Sequence, residues 1–178
     1  MTKRLKSKHK ISRRLGVSLW GSHKYNQKKA YPPGQHGPSG MMRRVSNYGE
    51  QLKAKQTLKG YYANMNEKQF SNLYKLAAKL KGDTGENLVG LLESRLDAFI
   101  YRANFAPTVF SARQLISHKH ITVNGGVVNI ASYRLKAGDV VEIRERSRKI
   151  PLVVQTLQDM EREVPAYVNV DPKSFSAT

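Results

Sequence analysis

The apolar residues between positions 46 and 82 recur at three- and four-residue steps, the spacing that places side chains on one face of an α-helix. A first helix is predicted to start near Ser46 and to stop at residues 64–66. A second helix follows, with Asn66 as its candidate N-cap and Gly82 after its end. The predicted apolar stripe of this second helix is Phe70, Leu73, Tyr74, Ala77 and Leu80.

Helical spacing resumes over residues 84–103, which predicts one long helix, and residues 104–107 interrupt it. Ser111 is the candidate N-cap of the next helix, because Gln114 stands three positions further on, as in a capping box. The predicted buried residues of that helix are Leu115 and Ile116.

After position 120 the spacing changes from helical to alternating. Ile121–Val123 and Val127–Ile130 are predicted to be strands joined by the tight turn Asn124–Gly126. A turn at 136–139 precedes a third predicted strand, Val140–Arg144. These segments predict a short antiparallel sheet.

The order of these elements predicts an α+β fold. A mainly helical domain carries an inserted small module, in which two helices pack on a short antiparallel sheet, and an extended basic arm precedes both. The predicted domains are the arm at 1–45, the helical domain at 46–93, completed by a return segment at 150–178, and the module at 94–149. Within the return segment, 155–163 predicts a short helix and 171–178 is expected to fray.

The arm is predicted to be irregular, because glycines and prolines interrupt residues 1–42 and the apolar residues there are scattered. Residues 1–49 contain twelve Lys and Arg and no Asp or Glu, so they supply +12 of the net charge of +18. Such an arm is typical of nucleic-acid binding and of order gained on binding. An anionic membrane surface is the second candidate partner, although no apolar run is long enough to span a bilayer.

The composition argues against catalysis and metal binding. The chain has no cysteine, which excludes disulfides, thiolate metal sites and thiol catalysis. Its 13 acidic residues form no evident carboxylate pair, and no Gly-Lys-Ser or Gly-Lys-Thr phosphate loop is present. His118 and His120 are two residues apart, which is not the helical pairing of many metal sites. We therefore expect no enzymatic activity, no cofactor and no small-molecule substrate.

Several positions are candidates for RNA contact, each with a structural alternative. Arg95 and Arg102 are seven residues apart, hence on one face of the predicted helix. The next helix carries a mainly basic polar stripe, which is either an RNA-binding face or a solvated one; its members are Arg113, Gln114, Ser117 and Lys119. The histidines 118 and 120 are either exposed polar residues or RNA contacts. The Asn and Gly residues at 124–126 have a structural explanation as well, because a tight turn requires positive φ.

Several segments in this order resemble a known family. They are YPPGQHG at 31–37, YGEQLKAKQ at 48–56, TGENL at 84–88, LLESRLD at 91–97, SARQLI at 111–116, HITVNG at 120–125, YRLKAGD at 133–139 and RERSR at 144–148. Over nearly the whole chain they are similar to the bacterial small-subunit ribosomal protein four (uS4) family, most of all to its alphaproteobacterial members. The YPPGQHG segment alone would be a rigid extended piece ending in a turn.

The resemblance implies a structural ribosomal protein that binds the 5′ domain of 16S-type rRNA early in assembly. It implies contact with ribosomal protein five and other small-subunit proteins, a place near where mRNA enters the subunit, and a link to decoding accuracy. It also implies that the module is an RNA-binding unit, with these residues on its RNA-facing surface: Arg95, Arg113, Gln114, His118, Lys119, His120, Asn124 and Arg134.

The remaining candidate rRNA contacts come mainly from the distribution of charge. They are Lys3, Arg4, Lys8, Arg13, Arg14, Tyr31, Gln35, His36, Arg43, Arg44, Lys53, Lys55, Lys59, Arg102 and Ser117.

Two departures from the family pattern bear on origin. Many relatives hold zinc through a cysteine cluster in the arm, so this arm is expected to be ordered by RNA alone. Relatives also continue past the position that corresponds to Thr178, so the chain is either cut short or a reduced, organellar version. A bacterial cytoplasmic ribosome is the first expectation and a mitochondrial ribosome the alternative, because the acid-free N-terminus also suits a transit peptide.

Two other functions compete with a ribosomal role. An enzyme built on the same module would need a separate catalytic domain, and the helical remainder offers no constellation for one. A free-standing RNA chaperone or regulator would not need the arm and the helical domain together.

Overall fold

The computed structural model describes residues 7–20, 29–40, 45–159 and 162–178. The candidate contacts Lys3, Arg4, Arg43 and Arg44 lie outside these ranges. The chain divides into two compact units, residues 1–66 and 67–178, which are described separately. The predicted three-part division at 45/46 and 93/94 stays a prediction.

The first unit contains a helix where the sequence predicted irregular chain. Helix α1 spans Lys8–Leu15 and ends at Gly16, whose φ of 71° suits glycine. Its last residue is buried, as are Leu19 and Trp20 just beyond it. Because these few apolar side chains are packed into the unit, tertiary contacts stabilise a helix that periodicity alone did not indicate.

Two further helices complete the described part of this unit. They are α2, Gly37–Gly40, and α3, Asn47–Tyr61. The Ser46 side chain accepts a hydrogen bond from the Gly49 amide at 3.2 Å, which confirms the predicted helix start. The Trp20 indole Nε1 donates to the carbonyl of Gly60 at 2.9 Å, and a Cβ atom on Gly60 would overlap Leu19. Gly60 is therefore the point at which the chain after α1 packs closely on α3.

The second unit begins with two helices. Helix α4 is Glu67–Ala77, and α5 is Thr84–Glu93 with Asp83 as its N-cap. Of the predicted stripe on α4, the side chains of Phe70, Leu73 and Ala77 are buried, whereas Tyr74 and Leu80 are largely exposed.

The prediction of one long helix over 84–103 is wrong. Helix α5 ends at Glu93, and after Ser94 and Arg95 a separate helix, α6, spans Leu96–Arg102. The break has a long-range cause. The Leu135 amide donates to the Ser94 carbonyl at 2.8 Å, and the Leu96 amide donates to the Tyr133 carbonyl at 2.9 Å. Apolar spacing continues through the break, so periodicity could not reveal it.

The predicted cap of the next helix is also corrected. Helix α7 spans Val109–Ser117, and Thr108 is its N-cap, accepting a hydrogen bond from the Ser111 amide at 3.1 Å. Ser111 itself lies inside the helix. Leu115 and Ile116 are buried, as predicted.

The sheet is antiparallel throughout, in the order β2-β1-β3-β5-β4. The strands are β1 Ile121–Val123, β2 Gly126–Val127, β3 Val141–Ile143, β4 Val170–Asp171 and β5 Ser176–Ala177. Strands β2 and β3 are shorter than predicted. Asn124 and Gly125, with φ of 49° and 78°, form the predicted tight turn between β1 and β2.

The C-terminal segment differs from its prediction. Helix α8 spans Pro151–Asp159, four residues earlier than expected at its start. The predicted fraying of 171–178 is wrong, because Ala177 pairs with Val141 of β3 and is only 1% exposed. The return segment was expected to complete the helical domain, which stays a prediction; its strand β5 pairs with β3.

An apolar core lies in the part of the second unit from Leu96 onward. It joins α6 and α7 to the inward faces of β1 and β3, and it includes residues from α8 and β5. Its largest fully buried members are Phe105, Leu96, Ile100, Ile116, Ile121 and Ile143. The predicted α+β fold, with two helices on a short antiparallel sheet, is confirmed.

Candidate nucleic-acid interface

In the first unit, two predicted contact residues bind each other. The Arg13 guanidinium lies over the Tyr31 ring, 4.9 Å from its centroid. Its Nε lies 3.1 Å from the carbonyl of Tyr31 and 3.2 Å from that of Lys29, and its Nη2 donates to the Pro32 carbonyl at 3.3 Å. Arg13 therefore fixes the segment at 29–32 to α1, which occupies much of its capacity to bind a phosphate.

The segment after Tyr31 turns sharply and presents two other candidates. The Gly37 amide donates to the Gly34 carbonyl at 3.1 Å, and a Cβ atom on Gly37 would overlap the carbonyl of Pro32. Only glycine fits there. Gln35 and His36 stand on this turn and are exposed.

The remaining candidates of the first unit differ in exposure. Arg14 and Lys53 are exposed, and Lys8 and Lys55 are half-buried. Lys59 is only 4% exposed, so it is not presented at the surface of the unit. The predicted row of lysines on α3 is thus reduced to Lys53 and Lys55.

In the second unit, a buried carboxylate lies between two of the predicted RNA contacts. Asp97 is fully buried, and its two oxygens accept from Arg95 Nε and Nη2 at 3.0 and 2.8 Å. Arg113 Nε donates to the same carboxylate at 2.7 Å, and the Ala98 amide at 3.0 Å. Arg95 is 5% exposed and serves the core. Arg113 keeps a fifth of its side chain at the surface.

Arg102 is also paired. Its Nη2 and Nε donate to the two oxygens of Glu93 at 2.7 and 3.1 Å. The Tyr167 hydroxyl donates to Glu93 Oε2 at 3.1 Å, and burial followed by the Glu93 charge raises the pKa of Tyr167 to about 12. Arg113, a member of the polar stripe predicted on α7, is paired with an acid that lies outside that stripe, Asp97. Arg95, Arg102 and Arg113 each have a carboxylate partner.

The end of α7 presents polar groups that differ in their contacts. Gln114, His118 and Lys119 are exposed, whereas the Ser117 hydroxyl donates to the Arg113 carbonyl at 2.8 Å. Lys119 leaves the helix with a φ of 61°. We call Gln114, His118 and Lys119 the α7 surface.

His120 stands behind the α7 surface and is half-buried. Its Nδ1 lies 2.8 Å from the Ser147 hydroxyl, and its ring centroid lies 6.1 Å from that of His118. Burial, then the nearby His118, Arg146 and Arg144, lowers the pKa of His120. The imidazole is therefore held toward its neutral form, first by burial and then by the positive charges around it.

Two arginines beside this surface were missed as candidate contacts. The amide of Arg144 donates to the His120 carbonyl at 3.0 Å, and its Nη1 donates to the Lys119 carbonyl at 3.1 Å. Arg146 is exposed on a 3₁₀ turn at Glu145–Ser147. The signal was in the sequence: three arginines in five residues directly after a strand, at 144–148.

Asn124 and Arg134 have different surroundings. The Asn124 side chain accepts from the Val140 amide and donates to Asp139 Oδ1, both at 2.9 Å, so it joins the β1–β2 turn to the turn before β3. Each of its two polar atoms makes one of these hydrogen bonds. Arg134 is exposed, and its backbone forms an isolated bridge with Arg95.

No group of three or more His, Asp or Glu side chains able to hold a metal ion lies in the part of the chain that the structure describes. Among those residues, no helix is both long and apolar enough to cross a bilayer.

Comparison with known proteins gives two family matches. Residues 3–93 match the ribosomal protein S4/S9 N-terminal domain, and residues 94–141 match the S4 domain. The second match begins at the break between α5 and α6 and contains the α7 surface.

Full-length relatives agree with these matches. The chain is 56% identical over 180 residues to the small ribosomal subunit protein uS4 of Pelagibacter ubique, an alignment that covers 100% of this chain and 87% of the relative. It is 55% identical to the protein of that name from Brucella abortus and 56% identical to that from Caulobacter vibrioides, each over 179 residues with the same coverage. The chain therefore belongs to the uS4 family of small ribosomal subunit proteins.

Proposed function

We propose that this protein is a structural constituent of the small ribosomal subunit that binds 16S-type rRNA through the α7 surface and the basic first unit. One observation carries the proposal. The α7 surface places an amide and two basic side chains together, exposed, at one end of a rigid helix. Amide and imidazole groups suit the edges of unpaired bases and the ribose 2′-hydroxyl, and a lysine suits a phosphate.

Membership of the family supports the proposal, and it bears on catalysis and on the kind of ribosome. The family consists of ribosomal structural proteins and not of enzymes, so the expected absence of catalysis is confirmed. The bacterial origin of these relatives favours a cytoplasmic bacterial ribosome over the mitochondrial alternative.

The finer function follows the family likeness. The protein binds the 5′ domain of the rRNA early and nucleates assembly there. With ribosomal protein five it contributes to translational accuracy, close to where mRNA enters the subunit. The net charge of +18 supports binding to a polyanion, since the fold itself does not need it.

The direct test is filter binding of the purified chain to a transcript of the 16S rRNA 5′ domain. A transcript of equal length from the 3′ part is the matched control. We expect tighter binding to the 5′ domain and a steep loss of affinity with salt, because phosphate contacts release counterions. Equal affinity for both transcripts would overturn the 5′-domain assignment.

A second experiment separates a resident ribosomal protein from a loosely bound regulator. The chain is added to small subunits depleted of their own uS4, and the subunits are sedimented through high salt. Retention at one copy per subunit is the expected result, and complete loss in the wash favours a regulator. Pull-down of ribosomal protein five by subunits with and without the chain tests that contact.

The arm is better tested by substitution than by deletion. Leu19 and Trp20 pack on α3, so deletion of residues 1–45 would expose a core as well as remove charge. Replacing Lys8 and Arg14 by glutamine removes charge from α1 and leaves those contacts in place. We expect a weaker dependence of rRNA affinity on salt, and an unchanged dependence would contradict a phosphate-binding role for α1.

A further inference from the structure

We propose that Lys119, Arg144 and Arg146 form a second RNA-binding site, specific for the phosphate backbone, where the end of α7 meets the end of β3. The site deepens the proposed function and rests on it. We call these three residues the cationic corner. Two of them, Arg144 and Arg146, were not among the residues predicted from sequence.

The sheet builds this corner. Ile121 of β1 pairs with Ile143 of β3, so the residues before β1 lie beside those after β3. The Arg144 amide donates to the His120 carbonyl at 3.0 Å, which extends the pairing by one step. Arg144 Nη1 then donates to the Lys119 carbonyl at 3.1 Å. The corner is therefore held by the sheet and by hydrogen bonds across it.

The backbone of Arg144 is also fixed by the residues that follow it. The Ser147 amide donates to the Arg144 carbonyl at 2.7 Å, and buried Ser147 lies against the His120 ring. Arg148 points away from the corner, since its Nε donates to the Ile143 carbonyl and its guanidinium lies over the Phe175 ring. Of the three arginines at 144–148, the structure thus uses Arg148 for packing.

Among the described residues, the cations of the corner differ in their ion pairing from the arginines of α6 and α7. Each of the arginines on α6 and α7 has a carboxylate within 2.8 Å, whereas no described carboxylate forms an ion pair with Lys119, Arg144 or Arg146. After burial and His118, the charges of Arg146 and Arg144 contribute to the lowered pKa of His120. Burial is the largest cause of this shift, and the positive charges add to it.

The chemistry of the corner suits a phosphate. A guanidinium offers paired N–H donors that match two phosphate oxygens, and a lysine adds a point charge. An acidic protein segment would be attracted by the same charges. RNA is favoured because the corner shares Lys119 with the α7 surface, where Gln114 and His118 offer groups for bases and ribose.

The test compares two double variants that lose the same charge. Arg144→Gln with Arg146→Gln removes two cations from the corner, and Lys68→Gln with Lys75→Gln removes two exposed cations from α4. Affinity for the 5′-domain transcript is measured at several salt concentrations. For the corner variant we expect the slope of log K against log salt to fall by about 2, roughly one per lost phosphate contact, and the affinity to fall by about tenfold or more. The α4 variant should keep most of the salt slope and most of the affinity.

Other outcomes overturn the proposal. Equal losses in the two variants would mean that net charge alone matters, and an unchanged slope in the corner variant would mean that no phosphate binds there. Displacement of the RNA by polyglutamate from the wild type but not from the corner variant would assign the corner to an acidic protein. If the wild type itself fails to discriminate the 5′ domain, the proposed function fails first and separately.

A single substitution distinguishes a loss of RNA binding from a folding defect. Arg144 makes a contact within the corner, whereas Arg146 is exposed and makes no described side-chain hydrogen bond. Arg146→Gln should keep the thermal unfolding midpoint and reduce the salt slope by about 1. Arg146→Lys should restore most of the slope, which a purely structural role for the arginine would not predict.

Discussion

Arg113 Nε lies 2.7 Å from Asp97 Oδ2 and so joins α7 to the start of α6 through a fully buried carboxylate. The residue predicted as an RNA contact is therefore also a packing residue. We expect Arg113→Ala to lower the free energy of unfolding by about 1.5–3 kcal/mol, the range for a hydrogen bond to a charged group. Urea unfolding measures this loss, and no loss would contradict the structural role.

Asp97 should be more sensitive than either arginine. When Arg113 is truncated, Asp97 keeps the two hydrogen bonds from Arg95 and one from the Ala98 amide. Asp97→Asn leaves two guanidinium groups without their charged partner, so we expect a loss of about 3–5 kcal/mol. Arg134→Ala is the control for RNA binding, because Arg134 is exposed and forms no ion pair with the described residues. It should change rRNA affinity and leave stability unchanged.

His120 makes stability depend on pH between neutral and mildly acidic conditions. Its pKa in the folded protein lies below the ordinary value of 6.5, first because of burial. The unfolded chain therefore binds more protons than the folded one as pH falls below that value. The contribution is fully present above pH 6.5 and is lost as pH drops through the folded pKa. The urea midpoint should fall between pH 7.5 and 5.5, and His120→Gln should flatten that fall.

A histidine of the first unit provides the comparison. His36 is exposed on the turn before α2, and His36→Gln is the control for removing one imidazole from the chain. If both variants flatten the curve equally, the effect does not come from the environment of His120. Bound RNA should raise the pKa of His120, since a phosphate at the cationic corner favours the protonated imidazole.

Local features of the fold were predictable because their causes are local. The Ser46 cap, the burial of Leu115 and Ile116, and the turn at Asn124 each follow from residues within one helical turn or one hairpin. The break at Ser94 has its cause in Leu135, about forty residues away, and no pattern near Ser94 contains it. The pairing of Ala177 with Val141 is of the same kind.

The site was predictable as a region but not as a set of free charges. Whether an arginine is available depends on which carboxylate the fold brings to it. Asp97 is 16 residues from Arg113, and spacing on one helix gave no sign that they meet. Arg146 was missed for the opposite reason: its charge was visible in the sequence, but its position near His120 was not.

Gly60 should tolerate no side chain. A Cβ atom there would overlap Leu19, and its carbonyl accepts from the indole of Trp20, the single tryptophan of the chain. We expect Gly60→Ala to cost about 1–3 kcal/mol through overpacking and to shift Trp20 fluorescence toward longer wavelengths. Gly90→Ala is the control, because Gly90 lies in α5 with open space at its Cβ position. It should be neutral or stabilising by up to about 1 kcal/mol. An unshifted Trp20 emission in Gly60→Ala would count against the packing.

Substitutions of Asn124 distinguish a structural role of this residue from contact with RNA. Its φ of 49° disfavours residues other than glycine and asparagine, and its side chain forms hydrogen bonds with both Asp139 and Val140. We expect Asn124→Ala to be the least stable variant, because it loses both the hydrogen bonds and the favoured backbone. Asn124→Gly should lie between that variant and the wild type. If Asn124 acted only on RNA, both variants would unfold like the wild type and bind rRNA more weakly.

The carboxylate partner of Asn124 gives an independent measurement of this role. Hydrogen bonds from the Lys136 amide and then from Asn124 lower the pKa of Asp139 below its ordinary value of 3.8. The stability that Asp139 adds is therefore present above that value and is lost as pH falls through the lowered one. In Asn124→Gly the second donor is gone, so the pKa of Asp139 should rise toward 3.8 while the Lys136 hydrogen bond keeps it somewhat lower. An NMR titration of the Asp139 carboxyl measures both values, and identical values would show that Asn124 does not hold this carboxylate in solution.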